Sequence, residues 1–210
     1  MRRYVTELIG TFALVFTIGC SVLNARAGVI APIAIGAVLM VMVFAGGHIS
    51  GAHYNPAITL AVFLRGRLVA RELLPYWAAQ LAGGLIGAIG AHYITNTKGT
   101  SPAYEGRDIG VALLAEFLFT FFLAYVVLNV ATSRNHPDNH FYGMAIGFTV
   151  MAGAFAVGPY SNGVFNPAVA LGIWVMGLVA GKSLWIYLVA NVGGAAAAAL
   201  TFKALNPDDV

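Results

Sequence analysis

The chain has 210 residues, 60% of them hydrophobic and only 9% charged, and its mean hydropathy is +0.82. Because soluble domains carry ~25% charged residues, this composition excludes a water-soluble protein and indicates an integral membrane protein that has the lipid bilayer as a partner. The formal net charge of +3 needs no nucleic-acid partner to explain it, and the single cysteine, Cys20, excludes an intrachain disulfide.

Six segments are long and apolar enough to cross a membrane, since a helix of ~20 apolar residues spans the hydrocarbon core. In chain order, these predicted spans are 4–24, 28–47, 73–94, 109–131, 140–160 and 183–202. The start Met1-Arg2-Arg3 also fits a signal peptide, but Glu7 within the first apolar run favours a spanning helix. Two further apolar segments, 55–64 and 166–176, reach only about half of a membrane's thickness.

The basic residues predict which side of the membrane each loop occupies. Six spans place both termini on one side, where seven basic residues fall, against four on the other side. The seven are Arg2, Arg3, Arg65, Arg67, Arg71, Arg134 and Lys203, and the four are Arg26, Lys98, Arg107 and Lys182. Because Lys and Arg near span ends favour the cytoplasm, we expect both termini to be cytoplasmic, in the cell's inner or plasma membrane.

The chain contains an internal repeat. The tripeptide Asn-Pro-Ala occurs at Asn55-Pro56-Ala57 and again at Asn166-Pro167-Ala168, an interval of a little over half of the chain. Glu7 and Glu116 precede the two copies at nearly equal spacings. Since three spans per copy is an odd number, the second copy is inverted, and such repeats place a site near the bilayer midplane. We expect one channel domain over 1–210, with repeats at about 1–96 and 109–206 and a linker at about 97–108.

Each tripeptide indicates a helix that begins in mid-membrane. Asn is a good N-cap, and Pro is tolerated at the first helical position. The Gly-rich stretches before the tripeptides, 46–54 and 158–165, are predicted to be non-helical. Irregular backbone at membrane depth is tolerated only where protein buries it or water reaches it. The predicted lining of a polar path is therefore this backbone, at Gly51, Ala52, His53, Tyr54, Asn162 and Val164.

Two half-helix N-termini that meet at the centre favour a particular cargo. Each N-terminus carries roughly +0.5 of an elementary charge, which opposes cations and protons, while the amides of Asn55 and Asn166 can donate hydrogen bonds to a passing oxygen. This pattern predicts a passive channel for small uncharged solutes.

Two buried acids leave an alternative open. Glu7 and Glu116 could relay protons in a coupled secondary transporter, or each could accept hydrogen bonds from a re-entrant loop; their symmetric placement favours the structural role. The five histidines have no spacing typical of a metal site, so we expect neither a metal nor a cofactor. No nucleophile–base pair appears in the sequence, and we expect no enzyme activity.

These residues resemble the major intrinsic proteins, the aquaporin and aquaglyceroporin superfamily, over nearly the whole chain. The strongest matches are residues 7–12 (ELIGTF), residues 48–57 (HISGAHYNPA) and the second tripeptide at 166–168. The resemblance implies an all-α membrane fold with six transmembrane helices and two re-entrant half-helices in an inverted repeat. It also implies a homotetramer, and a constriction formed by Asn55 and Asn166 in each subunit.

The resemblance fails at one diagnostic position. The family has a second constriction whose hallmark is an Arg three residues after the second motif Asn, and here that residue is Val169. The other three positions are inferred to be Ile35, Ala154 and Gly163. Such an apolar neck without a fixed charge should admit water and larger neutral solutes, such as a polyol or arsenite. The alternative is a water-selective channel with an unusual neck.

Overall fold

The computed structural model describes residues 1–25 and 27–209, and every regular element in them is helical. Six helices are long and apolar enough to cross a membrane, which confirms the six predicted spans. Their bounds are α1 Arg2–Val22, α2 Ala31–Ser50, α4 Ala70–Thr95, α5 Arg107–Val127, α6 Tyr142–Ser161 and α8 Leu184–Leu205. The half-length segments form α3 (Pro56–Arg65) and α7 (Pro167–Val175). Arg26 and Val210 lie outside the described residues.

The loops form two opposite faces of the bundle. On the face that carries both termini, which we call the terminal face, Arg3 pairs with Glu72 and the segment after α8 contacts the α5–α6 loop. On the opposite face, which we call the far face, the linker before α5 runs alongside the turn after α7. Three backbone hydrogen bonds tie these two segments together, and they join Gly99 to Met176, Ser101 to Gly177, and Ala180 to Pro102.

The predicted non-helical stretches are wrong over about half of their length. Residues 46–50 belong to α2 and residues 158–161 belong to α6. Each helix ends one residue later in a left-handed cap, Gly51 (φ 87°) and Asn162 (φ 69°), whose N–H donates to the carbonyl four residues earlier. Inside a membrane every unpaired backbone group is costly, so the helices continue as far as the chain's reversal allows. In these two regions, the irregular backbone is confined to 51–55 and 162–166.

The two halves of the chain make corresponding contacts. Helix α1 packs against α4 as α5 packs against α8, while α2 and α6 cross between the halves. Each half-helix is held by the other half, because α3 packs on α8 and α7 packs on α4. This packing on the opposite half holds each half-helix in place. The bounds of the two repeats stay a prediction.

Glycines allow the closest of these helix crossings. A methyl group at Gly83 in α4 would collide with the backbone oxygen of Leu8, and one at Gly194 in α8 would lie 2.6 Å from that of Phe117. These two glycines are separated by the same interval as the two tripeptides. Small residues at a crossing let two helix backbones approach closely within lipid. Both crossings therefore require glycine at these positions, because any side chain would collide with the neighbouring backbone.

The substitution Gly83→Ala should therefore destabilise the bundle. Because the added methyl meets backbone rather than a flexible side chain, we expect a loss of about 1–3 kcal/mol in the free energy of unfolding. Thermal unfolding of the detergent-solubilised protein measures this loss. The matched control is Gly110→Ala in α5, where the methyl meets no atom within 4 Å. Equal effects of the two substitutions would contradict the crossing argument.

Candidate functional site

Both half-helices begin with the same capped start. Asn55 and Asn166 have extended backbone, with φ of −158° and −159°. The Oδ1 of Asn55 accepts a hydrogen bond from the N–H of Ala57 (2.8 Å), and that of Asn166 accepts from Ala168 (2.9 Å). Each proline occupies the first helical position, where the missing N–H is not needed.

The two capped tips meet inside the bundle. The amide nitrogen of Asn55 donates to the carbonyl of Phe165 (2.8 Å), and that of Asn166 donates to the carbonyl of Tyr54 (2.9 Å). Both asparagines are buried. An amide carries two hydrogens, so each asparagine keeps one hydrogen for another acceptor after this cross-connection.

Glu7 holds the irregular backbone that precedes the first tip. Its Oε1 accepts hydrogen bonds from the Ser50 hydroxyl (2.7 Å) and the His53 N–H (3.0 Å). Its Oε2 accepts from the Tyr54 N–H (2.6 Å) and the Gln80 amide (2.7 Å). The carboxylate is fully buried, so all of its hydrogen bonds are made to protein donors.

Glu116 repeats this arrangement in the second half. Its Oε1 accepts from the Ser161 hydroxyl and the Val164 N–H, both at 2.8 Å. Its Oε2 accepts from the Phe165 N–H (2.7 Å) and the Asn191 amide (3.2 Å). Sequence reasoning paired the two acids, but it did not find Gln80 and Asn191, although these two residues are separated by the same interval as the tripeptides.

The loop backbone adopts left-handed conformations in the same places of both halves. The φ values are 87° at Gly51, 49° at Ala52 and 49° at Tyr54, and 69° at Asn162, 62° at Gly163 and 51° at Phe165. Such a conformation costs of order 1–3 kcal/mol at a residue with a side chain and persists only where the surroundings impose it. The glutamates impose it here, because they bind the N–H groups of 53, 54, 164 and 165.

Three cavities follow one another along these loops. The far-face cavity has about 110 Å³, and the four inferred neck residues Ile35, Ala154, Gly163 and Val169 all line it. The central cavity has only about 30 Å³, and Asn55, Asn166 and residues 52–54 and 164 line it. At the terminal face lies the terminal-face vestibule, a cavity of about 620 Å³ that Gly51 lines.

These cavities share walls. Ile35, Gly163 and Val169 line both the far-face and the central cavity, and Asn162 lines the far-face cavity. His53 and Val127 line both the central cavity and the terminal-face vestibule. The three cavities thus follow one another from face to face, and the asparagine tips line the smallest of the three.

Sequence reasoning missed the apolar wall that faces the tips. Four long helices each contribute a pair of apolar residues four positions apart to the central cavity. The pairs are Leu14/Ile18, Ile35/Leu39, Leu123/Val127 and Ile146/Val150. The sequence contained a signal for this wall. Residues four apart share a helix face, and the apolar pairs of α1 and α2 recur in α5 and α6 at nearly the same interval as the tripeptides. The solute path therefore has one polar side and one apolar side.

The glutamate contacts generate a test against the proton-relay alternative. In Glu7→Gln one acceptor oxygen is replaced by an NH₂ group that faces N–H donors, so we expect a loss of at least about 2 kcal/mol in unfolding free energy. The control Glu105→Gln, at an exposed ion pair with Lys182, should change little. Thermal unfolding measures both. A stable Glu7→Gln protein that lost only gradient-driven uptake would support the relay instead.

Comparison with known proteins agrees with this geometry. Residues 1–202 match the family described as "Major intrinsic protein". The chain is 37% identical to "Aquaporin NIP1-3" of Oryza sativa subsp. japonica, with 99% of this chain and 75% of the relative covered. It is 33% identical to "Glycerol uptake facilitator protein-like 6" of Lactiplantibacillus plantarum over 100% of both. The X-ray structure of the aquaglyceroporin from Plasmodium falciparum superposes with a TM-score of 0.80 at 19% identity, covering 98% of this chain and 97% of that one. The chain is thus an integral, multi-pass membrane protein that belongs to the major intrinsic protein family.

Proposed function

We propose that this protein is a passive channel that conducts water and also larger uncharged solutes, such as a polyol or the neutral metalloid arsenite. The observation that carries the proposal is the meeting of two asparagine-capped helix tips at a central cavity of about 30 Å³. A cavity of this size holds only about one or two water molecules at a time, which favours passage of solutes one after another. Each asparagine offers one amide hydrogen to the solute's oxygen, and the apolar wall allows the solute to slide.

Exclusion of ions follows from the same arrangement. No Asp, Glu, Lys or Arg is found among the described residues that line the central and far-face cavities. Both half-helices direct their positive N-terminal ends toward the centre. A cation would have to lose its water next to two positive helix ends and four apolar pairs, which a neutral solute does not.

Val169 supports the inclusion of solutes larger than water. The far-face neck of Ile35, Ala154, Gly163 and Val169 contains no side-chain donor, no aromatic ring and no charge. Because these four side chains donate no hydrogen bond to water or to a polyol, neither solute is favoured by hydrogen bonding there. The size of the solute therefore sets the selectivity of the neck. The name of the Lactiplantibacillus plantarum relative, a glycerol uptake facilitator-like protein, makes glycerol the first polyol to test.

The proton-coupled alternative finds no support in the geometry. Glu7 and Glu116 lie behind the loops, and neither is among the residues that line the three cavities. Each already accepts hydrogen bonds from four donors. A carboxylate in this position stabilises the backbone of the loop that it binds.

The family to which the chain belongs is one of channels rather than enzymes.

We also propose the orientation and assembly that the sequence indicated. The terminal face is cytoplasmic, because seven of the eleven basic residues belong to it. The functional unit is a homotetramer with one pathway in each subunit. Apolar side chains exposed on the long helices, such as Phe148 and Phe155 of α6, are available for lipid and for neighbouring subunits.

Flux measurements test the proposed function directly. Purified protein in liposomes, followed by stopped-flow light scattering, should raise permeability to water and to glycerol above that of protein-free vesicles. Permeability equal to that of empty vesicles for both solutes, with folded protein present, would contradict the proposal.

Substitution of the neck tests the role of Val169. In Val169→Arg a long charged side chain enters the far-face cavity, so we expect glycerol flux to fall by roughly tenfold or more and water flux to fall much less. Val169→Met is the matched control, because it adds length without charge. If Val169→Arg reduced both fluxes equally, Val169 would have no part in selectivity.

A further inference from the structure

The segment that follows α8 carries a buried carboxylate back to the terminal face. Asp209 is 5% exposed. Its Oδ1 accepts hydrogen bonds from the guanidinium groups of Arg65 (2.5 Å) and Arg67 (3.3 Å). Its Oδ2 accepts from the Ser133 hydroxyl (3.0 Å) and the Arg134 N–H (2.9 Å). One side chain thus joins the end of α3, the α5–α6 loop and the segment after α8.

The contact with Arg65 anchors this carboxylate. Arg65 is 3% exposed and its guanidinium lies 4.5 Å from the centre of the Phe202 ring. Among the described residues, Asp209 is the one carboxylate within 4 Å of it. Burial raises the pKa of Asp209, but hydrogen bonds from Arg134 and Ser133 and the charge of Arg65 hold it below its ordinary value. The carboxylate is therefore ionised at neutral pH, and the anchor is permanent there.

The α5–α6 loop forms a wall of the terminal-face vestibule. Ser133, Arg134, His136 and Asp138 line this cavity together with Arg67. The other end of the loop is held by Asn139, whose amide donates to the carbonyl of Val130 (2.7 Å). Asp209 is not among the lining residues, so it holds the wall from behind. Its hydrogen bonds tie Ser133 and Arg134, at the start of the loop, to the buried Arg65.

We propose that Asp209 is a positioning residue that holds the loop of residues 133–138 back against Arg67 and so keeps the terminal-face vestibule open to solute. The inference rests on the proposed channel function, because it concerns the mouth of the same path. It predicts that release of the loop obstructs larger solutes more than water, since a mobile chain in a cavity of about 620 Å³ leaves gaps that water can still cross.

The test compares Asp209→Asn with its neighbour Asp208→Asn in liposomes. Asp208 is exposed, so its substitution removes the same charge without touching the loop. Loss of charged acceptors shifts the loop's equilibrium by tenfold or more, so we expect Asp209→Asn to lower glycerol permeability by about twofold to tenfold and water permeability less. Asp208→Asn should match the wild type, and Asp209→Glu should restore part of the glycerol flux. Mere loss of folded protein would lower both fluxes in the same proportion.

A second variant protects the test against misfolding. Ser133→Ala removes the hydrogen bond that the hydroxyl donates to Asp209 and the one that it accepts from the Asn135 N–H. It leaves the buried pair of Arg65 and Asp209 in place, so it should fold and still lower the ratio of glycerol to water permeability. A ratio unchanged from wild type in both Asp209→Asn and Ser133→Ala would overturn the inference; if Asp209→Asn does not fold, Ser133→Ala alone decides.

Loop accessibility separates this inference from the channel function. His136 is exposed and lines the vestibule. In a Cys20→Ser background, a cysteine placed by His136→Cys should therefore react with a membrane-impermeant maleimide more slowly when Asp209→Asn is also present, because the released loop moves into the vestibule and covers the thiol. Equal labelling rates would count against the positioning role, whatever the flux result. A wild-type protein that conducts nothing would instead overturn the channel function while leaving the labelling result valid.

Discussion

The structure depends on satisfying backbone N–H groups in mid-membrane. Two loops, 51–55 and 162–166, leave the helical state at membrane depth, where lipid offers nothing to replace the lost hydrogen bonds. Glu7 and Glu116 supply the acceptors, and each binds two consecutive backbone N–H groups. Because the N–H groups are bound on the glutamate side, the passage runs along the other side of the same backbone. Conducting path and buried charge are therefore two sides of one loop.

This arrangement occurs twice because the halves are interlocked. Each half-helix packs on long helices of the opposite half, and each asparagine donates to the carbonyl before the other asparagine. Neither tip can shift relative to the other without breaking these two hydrogen bonds. The central cavity is consequently lined by a rigid polar strip, opposed by four apolar pairs from α1, α2, α5 and α6.

The sequence predicted those parts of the site that depend on local chemistry. Uncharged runs predicted the six spans, and the order Asn-Pro before a short apolar run predicted both half-helices. The lengths of α2 and α6 were not predictable from Gly46, Gly47 and Gly158, because glycine is equally typical of a loop and of a close helix contact. In the structure a methyl group at Gly46 would collide with Tyr54, so this glycine serves packing. The anchor between Arg65 and Asp209 joins residues 144 positions apart, and no local pattern indicates it.

The central claim is that solutes move past the asparagine tips passively and that protons do not follow. Liposomes with a trapped pH indicator test both parts at once, when an inward glycerol gradient is imposed and light scattering is recorded alongside the dye. The account predicts glycerol entry at a rate proportional to the gradient, with an internal pH that matches protein-free vesicles and no effect of dissipating a proton gradient. Glycerol entry that requires a proton gradient, or that acidifies the interior, would contradict it.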